Sequence, residues 1–514
     1  MAVSVSLSGA AKWSVIAVSR LSRADDDQGC LIRAGTFRER KRERARERER
    51  GAIHSTTVQG LTLLLLLVYA GVLIGLSWQR RDADAGDYLL DGRRLTLPAF
   101  VATLVTTWYG GILGVGEYAW THGVATWLVF GVPYYAAALL FAFGLAGRLR
   151  ETEAASIPEL LERTYGTAAS RTGAVGVLAF SLPVAYLVML GVLLADVTGW
   201  PRPVAVAVAA LFSAGYVALS GFRAVVRTDR LQMVLMYGGF LVLLPVALHA
   251  VGGLGGLWEQ LPATHRTWDG GLGWQTVVVW YLIALQTVVD PTFYQRVFAA
   301  ASPRTARRGV VASVAFWVVF DFLSVFTGLA ARVLLPELGD PLEAYQSLAA
   351  LVLPTGLAAL FVIGLFATVM STVDSYLFLA AATVGHDLLP DPDRPSVERR
   401  RMRWALVVCA VVAAGAAMLF TSAVAVWYGV GSVVTSALLL PVVAVHLPAT
   451  LRPRPPAAVV SMVVAAGLAS GWFALGGLFG APYRGVEPMF PALAGAATVW
   501  VVDRLLAGPR TAHR

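Results

Sequence analysis

Residues 95–123 read LTLPAFVATLVTTWYGGILGVGEYAWTHG. The stretch is long and apolar enough to cross roughly 30 Å of hydrocarbon, yet its middle carries Thr106, Thr107, Gly110, Gly111, Gly114 and Gly116. Glycines in a membrane helix commonly serve close packing of a neighbour. They equally suit a helix that breaks in mid-membrane and turns freed carbonyls toward a cavity, where they can take a cation. Residues 272–293, LGWQTVVVWYLIALQTVVDPTF, repeat the theme. There Gln286 and the pair Asp290–Pro291 interrupt an apolar run, and proline removes one intrahelical hydrogen bond. The two interrupted runs are five spans apart, the spacing of two five-helix halves arranged as an inverted repeat.

Working outward, the chain reads as an all-α membrane protein with about 13 transmembrane helices. The expected spans are Thr57–Trp78, Leu95–His122, Ala125–Leu149, Thr172–Val197, Pro203–Val226, Leu231–Val251 and Leu272–Phe293. They continue with Gly309–Leu335, Pro354–Val384, Trp404–Phe420, Ala423–His446, Ala457–Leu475 and Met489–Leu506. Of the 514 residues 57% are hydrophobic and only 14% charged, well under the roughly 25% of a soluble domain. The net charge of +9 implies no nucleic-acid partner, because most arginines fall in short segments between apolar runs, where they report orientation. Arg93, Arg94, Arg148, Arg150, Arg223, Arg227, Arg230, Arg296, Arg304 and Arg401 all follow odd-numbered spans. This asymmetry predicts a cytoplasmic C-terminus, a first span that begins outside, and residence in the cell membrane. Cys30 and Cys409 are too few for a disulfide framework or a zinc site. No sizeable soluble module and no Ser/His or His/Asp cluster within the spans point to an enzyme.

Phe37–Gly51 reads FRERKRERARERERG, a mixed-charge run that forms a solvated helix through Glu/Arg pairs or stays disordered. Residues 1–56 lack a signal-peptide core and are expected to be a dispensable extension, or to precede the native start. Residues 57–507 form the membrane domain and residues 508–514 a cytoplasmic tail. The loop after span three contains SIPELLERTYG, an amphipathic surface helix opened near Pro158. Trp258 and Trp268 in the loop 252–271 suit interfacial anchors.

Span nine crowds Thr368, Ser371, Thr372, Asp374 and Ser375 into two helical turns. An intramembrane carboxylate is costly unless it is paired, hydrated or bound to a cation, and hydroxyl, carbonyl and carboxylate oxygens are the donors a hard cation prefers. Asp229 allows two readings, a cation ligand or a residue at a helix N-terminus capped by Thr228. Asp321 in span eight is a further intramembrane acid to which the sequence assigns no role, and Asp290 suits the freed backbone beside the break.

These segments resemble the solute:sodium symporter family, which has the LeuT-type fold. The resemblance runs from about Tyr88 to about Leu447 on YLLDGRRLTLP, SIPELLERTYG, SGFRAVVRTDRLQ, DPTFYQRVFAA and ATVMSTVDS. It implies two repeats, about 95–251 and 272–446, broken at spans two and seven. It implies a principal sodium site between spans two and nine, formed by carbonyls of Leu104, Thr107 and Thr368 and hydroxyls of Ser371 and Thr372. A second sodium would sit among Asp229, Ser371, Asp374 and Ser375. Solute contacts would come from Trp108, Tyr109, Gly111, Tyr134, Trp280 and Gln286. The implied activity is sodium-coupled import of a small organic solute by alternating access. Proton coupling on the same fold and a non-transporting membrane sensor are the competing readings. The solute and the oligomeric state are left open.

Overall fold

A computed structural model describes residues 59–78, 85–389 and 395–507. The Arg/Glu-rich segment 1–56 and the tail 508–514 lie outside the described residues. Nearly every described residue is helical, and twelve helices are long and apolar enough to cross a membrane. The expected tenth span is the exception. Its helix, Pro395–Ala417, opens with four arginines among residues 399–403 and turns apolar only at Trp404.

The helices form an inner group and an outer belt. In span two 94% of the most apolar window is buried inside the protein, and in span nine 83%. The first and last membrane helices, Gln59–Trp78 and Met489–Leu506, bury 22% each and present leucine and valine outward. Spans two and nine are therefore the centre against which the rest pack.

Span two is an α-helix over Leu97–Trp108, tightens to a 3-10 turn over Tyr109–Gly111, and resumes as α-helix over Ile112–His122. A Cβ on Gly110 would overlap the Cβ and hydroxyl of Thr372 in span nine. Only glycine permits this approach. Span seven departs further. Its helix Trp274–Ile283 tightens over Ala284–Val288, Asp290 is extended (φ −72°, ψ 114°), and a new helix runs over Pro291–Ala299. Asp290 caps that helix, accepting from the Thr292 backbone N–H at 2.8 Å and hydroxyl at 2.7 Å, while Tyr294 donates to the carbonyl of Val288 at 2.9 Å. Such partners replace the water that a broken helix cannot find in a membrane.

Two expectations are corrected. The fifth and sixth spans are helices Arg202–Ser220 and Phe222–Ala250, joined by Gly221 alone at φ +64°. Arg223, Arg227 and Arg230 therefore lie within a helix, and Asp229 sits about two turns inside it. Thr228 is no cap, because its hydroxyl bonds back to Val225 at 3.0 Å. Arg296 likewise is no loop charge, since it is fully buried in the helix after the span-seven break.

The ends of the two broken spans are tied together. Leu95 takes a hydrogen bond from Ala301 at 3.0 Å and gives one to Ala299 at 2.9 Å. Around this pairing Arg93 donates to the carbonyls of Glu153 and Ala154, Arg150 donates to Ala300, and Arg223 pairs with Asp91. The helix Ile157–Tyr165 completes this end. Ser156 caps it by accepting from Glu159 N–H at 3.1 Å, and the Glu159 carboxylate reaches back to Ala155 N–H at 2.7 Å, a reciprocal N-terminal cap.

Candidate functional site

Two sites meet where spans two, seven and nine converge. The first is a cluster of oxygens. The Thr372 hydroxyl donates to the carbonyl of Thr107 at 2.7 Å, bridging spans nine and two. One residue earlier, Ser371 donates to the Asp229 carboxylate at 2.6 Å, and Thr103 donates to the other oxygen of that carboxylate. Thr107 and Ser375 share a hydroxyl contact at 2.9 Å. All of these residues are buried. The Thr368 hydroxyl bonds back to Gly364 at 2.7 Å.

Arg296 enters the same cluster, and the sequence reading missed it. Its Nη2 donates to Ser375 at 2.7 Å, Thr107 at 2.8 Å and Thr103 at 3.1 Å, its Nη1 donates to Gln295 at 2.9 Å, and its guanidinium lies 5.3 Å from the Phe222 ring centroid. A fixed positive charge thus shares Thr103 with the carboxylate of Asp229. The signal was present in DPTFYQRVFAA, because a helix that starts at Asp290–Pro291 in mid-membrane keeps a residue six positions later below the surface.

Asp374 stands apart from Ser371 and Ser375. Its carboxylate accepts from Ser213 and Tyr216 of span five, a partner helix the sequence reading did not consider.

The second site is a cavity of about 90 Å³ beside the two breaks. All six expected solute contacts line it: Trp108, Tyr109, Gly111, Tyr134, Trp280 and Gln286. Gln286 donates to the Tyr134 hydroxyl at 3.1 Å. Trp108 stacks on Trp317 with centroids 4.9 Å apart and meets the edge of Tyr134 at 4.9 Å. Trp280 is buried among Tyr118, Phe130 and Tyr428. Asp321, unassigned from sequence, also lines the cavity, accepting from Tyr109 at 2.9 Å and from Tyr135.

A membrane-length helix that tightens at Tyr109–Gly111, another that is interrupted at Asp290, an oxygen cluster and a cavity between them are features consistent with a secondary transporter. A model of the Sodium:solute symporter family matches residues 88–448, and the chain belongs to that family. The chain is 25% identical over 380 residues to the sodium/pantothenate symporter of Escherichia coli K12, covering 68% of this chain and 77% of that one. It is 28% identical over 233 residues to the sodium/myo-inositol cotransporter 2 of Mus musculus, covering 36% and 34%. Its fold is similar to that of a solved Na+-coupled sialic acid symporter in a substrate-bound outward-open state, with a TM-score of 0.72 at 17% identity over 88% of this chain and 98% of that one. The protein is accordingly a multi-pass membrane transporter that imports a solute coupled to sodium.

Proposed function

We propose that residues 57–507 import a small organic solute by alternating access, with the principal sodium held between spans two and nine. Its ligands are the carbonyls of Leu104, Thr107 and Thr368 and the hydroxyls of Ser371 and Thr372. One observation carries the reading: the Thr372 hydroxyl lies 2.7 Å from the Thr107 carbonyl, so oxygens of the two central helices already converge. A sodium ion inserted there replaces a hydroxyl–carbonyl hydrogen bond with shared coordination by hard donors.

Sodium then acts as a clamp between the halves. Binding from outside stabilises the state in which spans two and nine bridge, and solute binds beside the same breaks. Each ligand therefore favours the other through the conformation that both select. Inward movement of the ion supplies roughly 2.3 kcal/mol per 100 mV. We place the arginine-rich ends in the cytoplasm, which makes the latch around Leu95 and Ala300 the inner gate. Asp229, Ser371 and Ser375 form a candidate second sodium site. The guanidinium of Arg296 already neutralises part of it, and Asp374 is outside the set, its carboxylate accepting from Ser213 and Tyr216 of span five.

A test uses cavity access. Val115 lines the cavity, and a Val115→Cys variant in oriented vesicles should react faster with a membrane-impermeant thiol reagent in sodium than in potassium. Equal rates would overturn sodium control of the outward state.

A further inference from the structure

We infer that the cavity selects a small organic cation, such as an alkylammonium or quaternary ammonium compound; this assignment of solute class rests on the transport reading above. The argument begins with charge. Asp290, at the span-seven break, and Asp321, in span eight, both line the cavity, and among the described residues that line it none is Lys, Arg or His. The basic group nearest in sequence to the break, Arg296, is outside the lining and is committed to Thr103, Thr107 and Ser375. A carboxylate solute would face two like charges and meet no cation. A neutral solute would bring no opposite charge to acids held away from bulk water, where charge is costly, and Arg296, behind the lining, offsets that of Asp290 only in part.

The donors around the acids fit this reading. The Asp321 oxygens accept one hydroxyl each, from Tyr109 and Tyr135, and those of Asp290 accept three hydrogen bonds, from the Thr292 backbone N–H and hydroxyl and from Tyr376. An ionised carboxylate offers about four lone-pair sites, so acceptor capacity is left over for a ligand N–H or a close cationic methyl.

Shape supports the same class. Apart from Gly111, Val115, Gln286 and the two acids, every lining residue is aromatic: Trp108, Trp280 and Trp427, with Phe130 and four tyrosines. Aromatic faces attract cations, most strongly where water is excluded. The rings are fixed by their neighbours, as the stacking of Trp108 on Trp317 shows. A volume of about 90 Å³, at roughly 10–15 Å³ for each water-sized sphere, suits a solute of a few heavy atoms. The rival occupant is a sodium ion bound by the same acids.

The test is thermal unfolding of the purified full chain, titrated in sodium and in potassium buffer. The probes are tetramethylammonium with its neutral partner tert-butanol, and propylammonium with propanol and propionate. The expected result is saturable stabilisation by an ammonium probe, greater in sodium, with no saturable effect of the neutral or anionic partners. Asp321→Asn should weaken ammonium binding about tenfold or more, the loss of one opposite charge in a buried site, while sodium alone stabilises the variant as it does the parent. Asp290→Asn, which keeps a side-chain oxygen for the helix cap, serves the same purpose if Asp321→Asn does not fold. Saturable propionate or propanol binding, no ammonium binding, unchanged ammonium affinity in the variants, or loss of the sodium response on substituting Asp321 would each overturn the assignment. The symport reading is scored separately by sodium alone: ammonium binding without any sodium stabilisation would sink sodium coupling and leave the cation assignment standing.

Discussion

Gly110→Ala tests whether contact between spans two and nine controls sodium binding. The added Cβ would overlap the Cβ, hydroxyl and methyl of Thr372. Thr372 is β-branched and fully buried, so its rotamer choice within a helix is narrow and the overlap has to be relieved by moving one helix. Overpacking of this kind costs about 1–3 kcal/mol. If sodium needs the close approach that puts Thr372 against Thr107, the cost falls on the bound state. Sodium affinity should then drop roughly 5- to 150-fold. Gly144→Ala is the matched control, because nothing lies within 4 Å of a Cβ there. The assay is the sodium concentration giving half-maximal thermal stabilisation, measured on variants that elute as a single symmetric peak in gel filtration. Unchanged sodium affinity in a folded Gly110→Ala protein would refute the placement of the ion between these helices.

Arg296→Lys keeps a charge but loses the fork that reaches Ser375, Thr107 and Thr103. Unfolding scans should register a loss of about 1.5–3 kcal/mol for each hydrogen bond from the buried charge that is not remade, and a stability equal to the parent would mean that the guanidinium geometry is irrelevant. Ser156→Ala removes the cap on the helix Ile157–Tyr165, costing about 1 kcal/mol; amide exchange in that helix should speed up while exchange in span nine stays slow. His265 packs under the loop near Gly123, its Nε2 2.9 Å from the carbonyl of Trp120, and burial lowers its pKa below the ordinary 6.5. The unfolded loop therefore binds the proton more readily, so stability contributed by this site is present above pH 6.5 and declines as pH falls through and below that value. Thermal scans across this range should show the decline in the parent and a flatter profile in His265→Gln.

Much of the fold was legible because hydrocarbon imposes one strong rule, that a spanning segment must be long, apolar and helical. The tightening at Gly110–Gly111 and the interruption at Asp290–Pro291 are local events, marked in the sequence by glycines that allow close approach and by a proline that lacks an N–H. The tenth span, expected over Trp404–Phe420, is the apolar end of a helix that starts at Pro395, and the charged turns of residues 399–403 continue that helix instead of forming a loop before it. Asp229 was left ambiguous because the turn before it is a single glycine, Gly221, with no apolar gap to mark it. The site divided in the same way. Ser371 and Thr372 could be singled out as candidates because hydroxyls crowded into an apolar helix stand out in one dimension. Three-dimensional partners did not: Ser213 and Tyr216 around Asp374, Tyr135 beside Asp321, and Arg296 among the threonines of span two lie between 158 and 193 residues from their partners. Arg296 in particular was hidden by its type, because arginine near the end of a span ordinarily reports the cytoplasmic face.

The most direct measurement of the central claim is equilibrium binding of radiolabelled sodium to the purified protein, comparing the parent with the Ser371→Ala/Thr372→Ala double variant. No solute is required. The account predicts saturable binding in the parent and its loss in a double variant that still folds. Absence of saturable binding in the folded parent, or binding that survives both substitutions, would contradict a sodium site between spans two and nine.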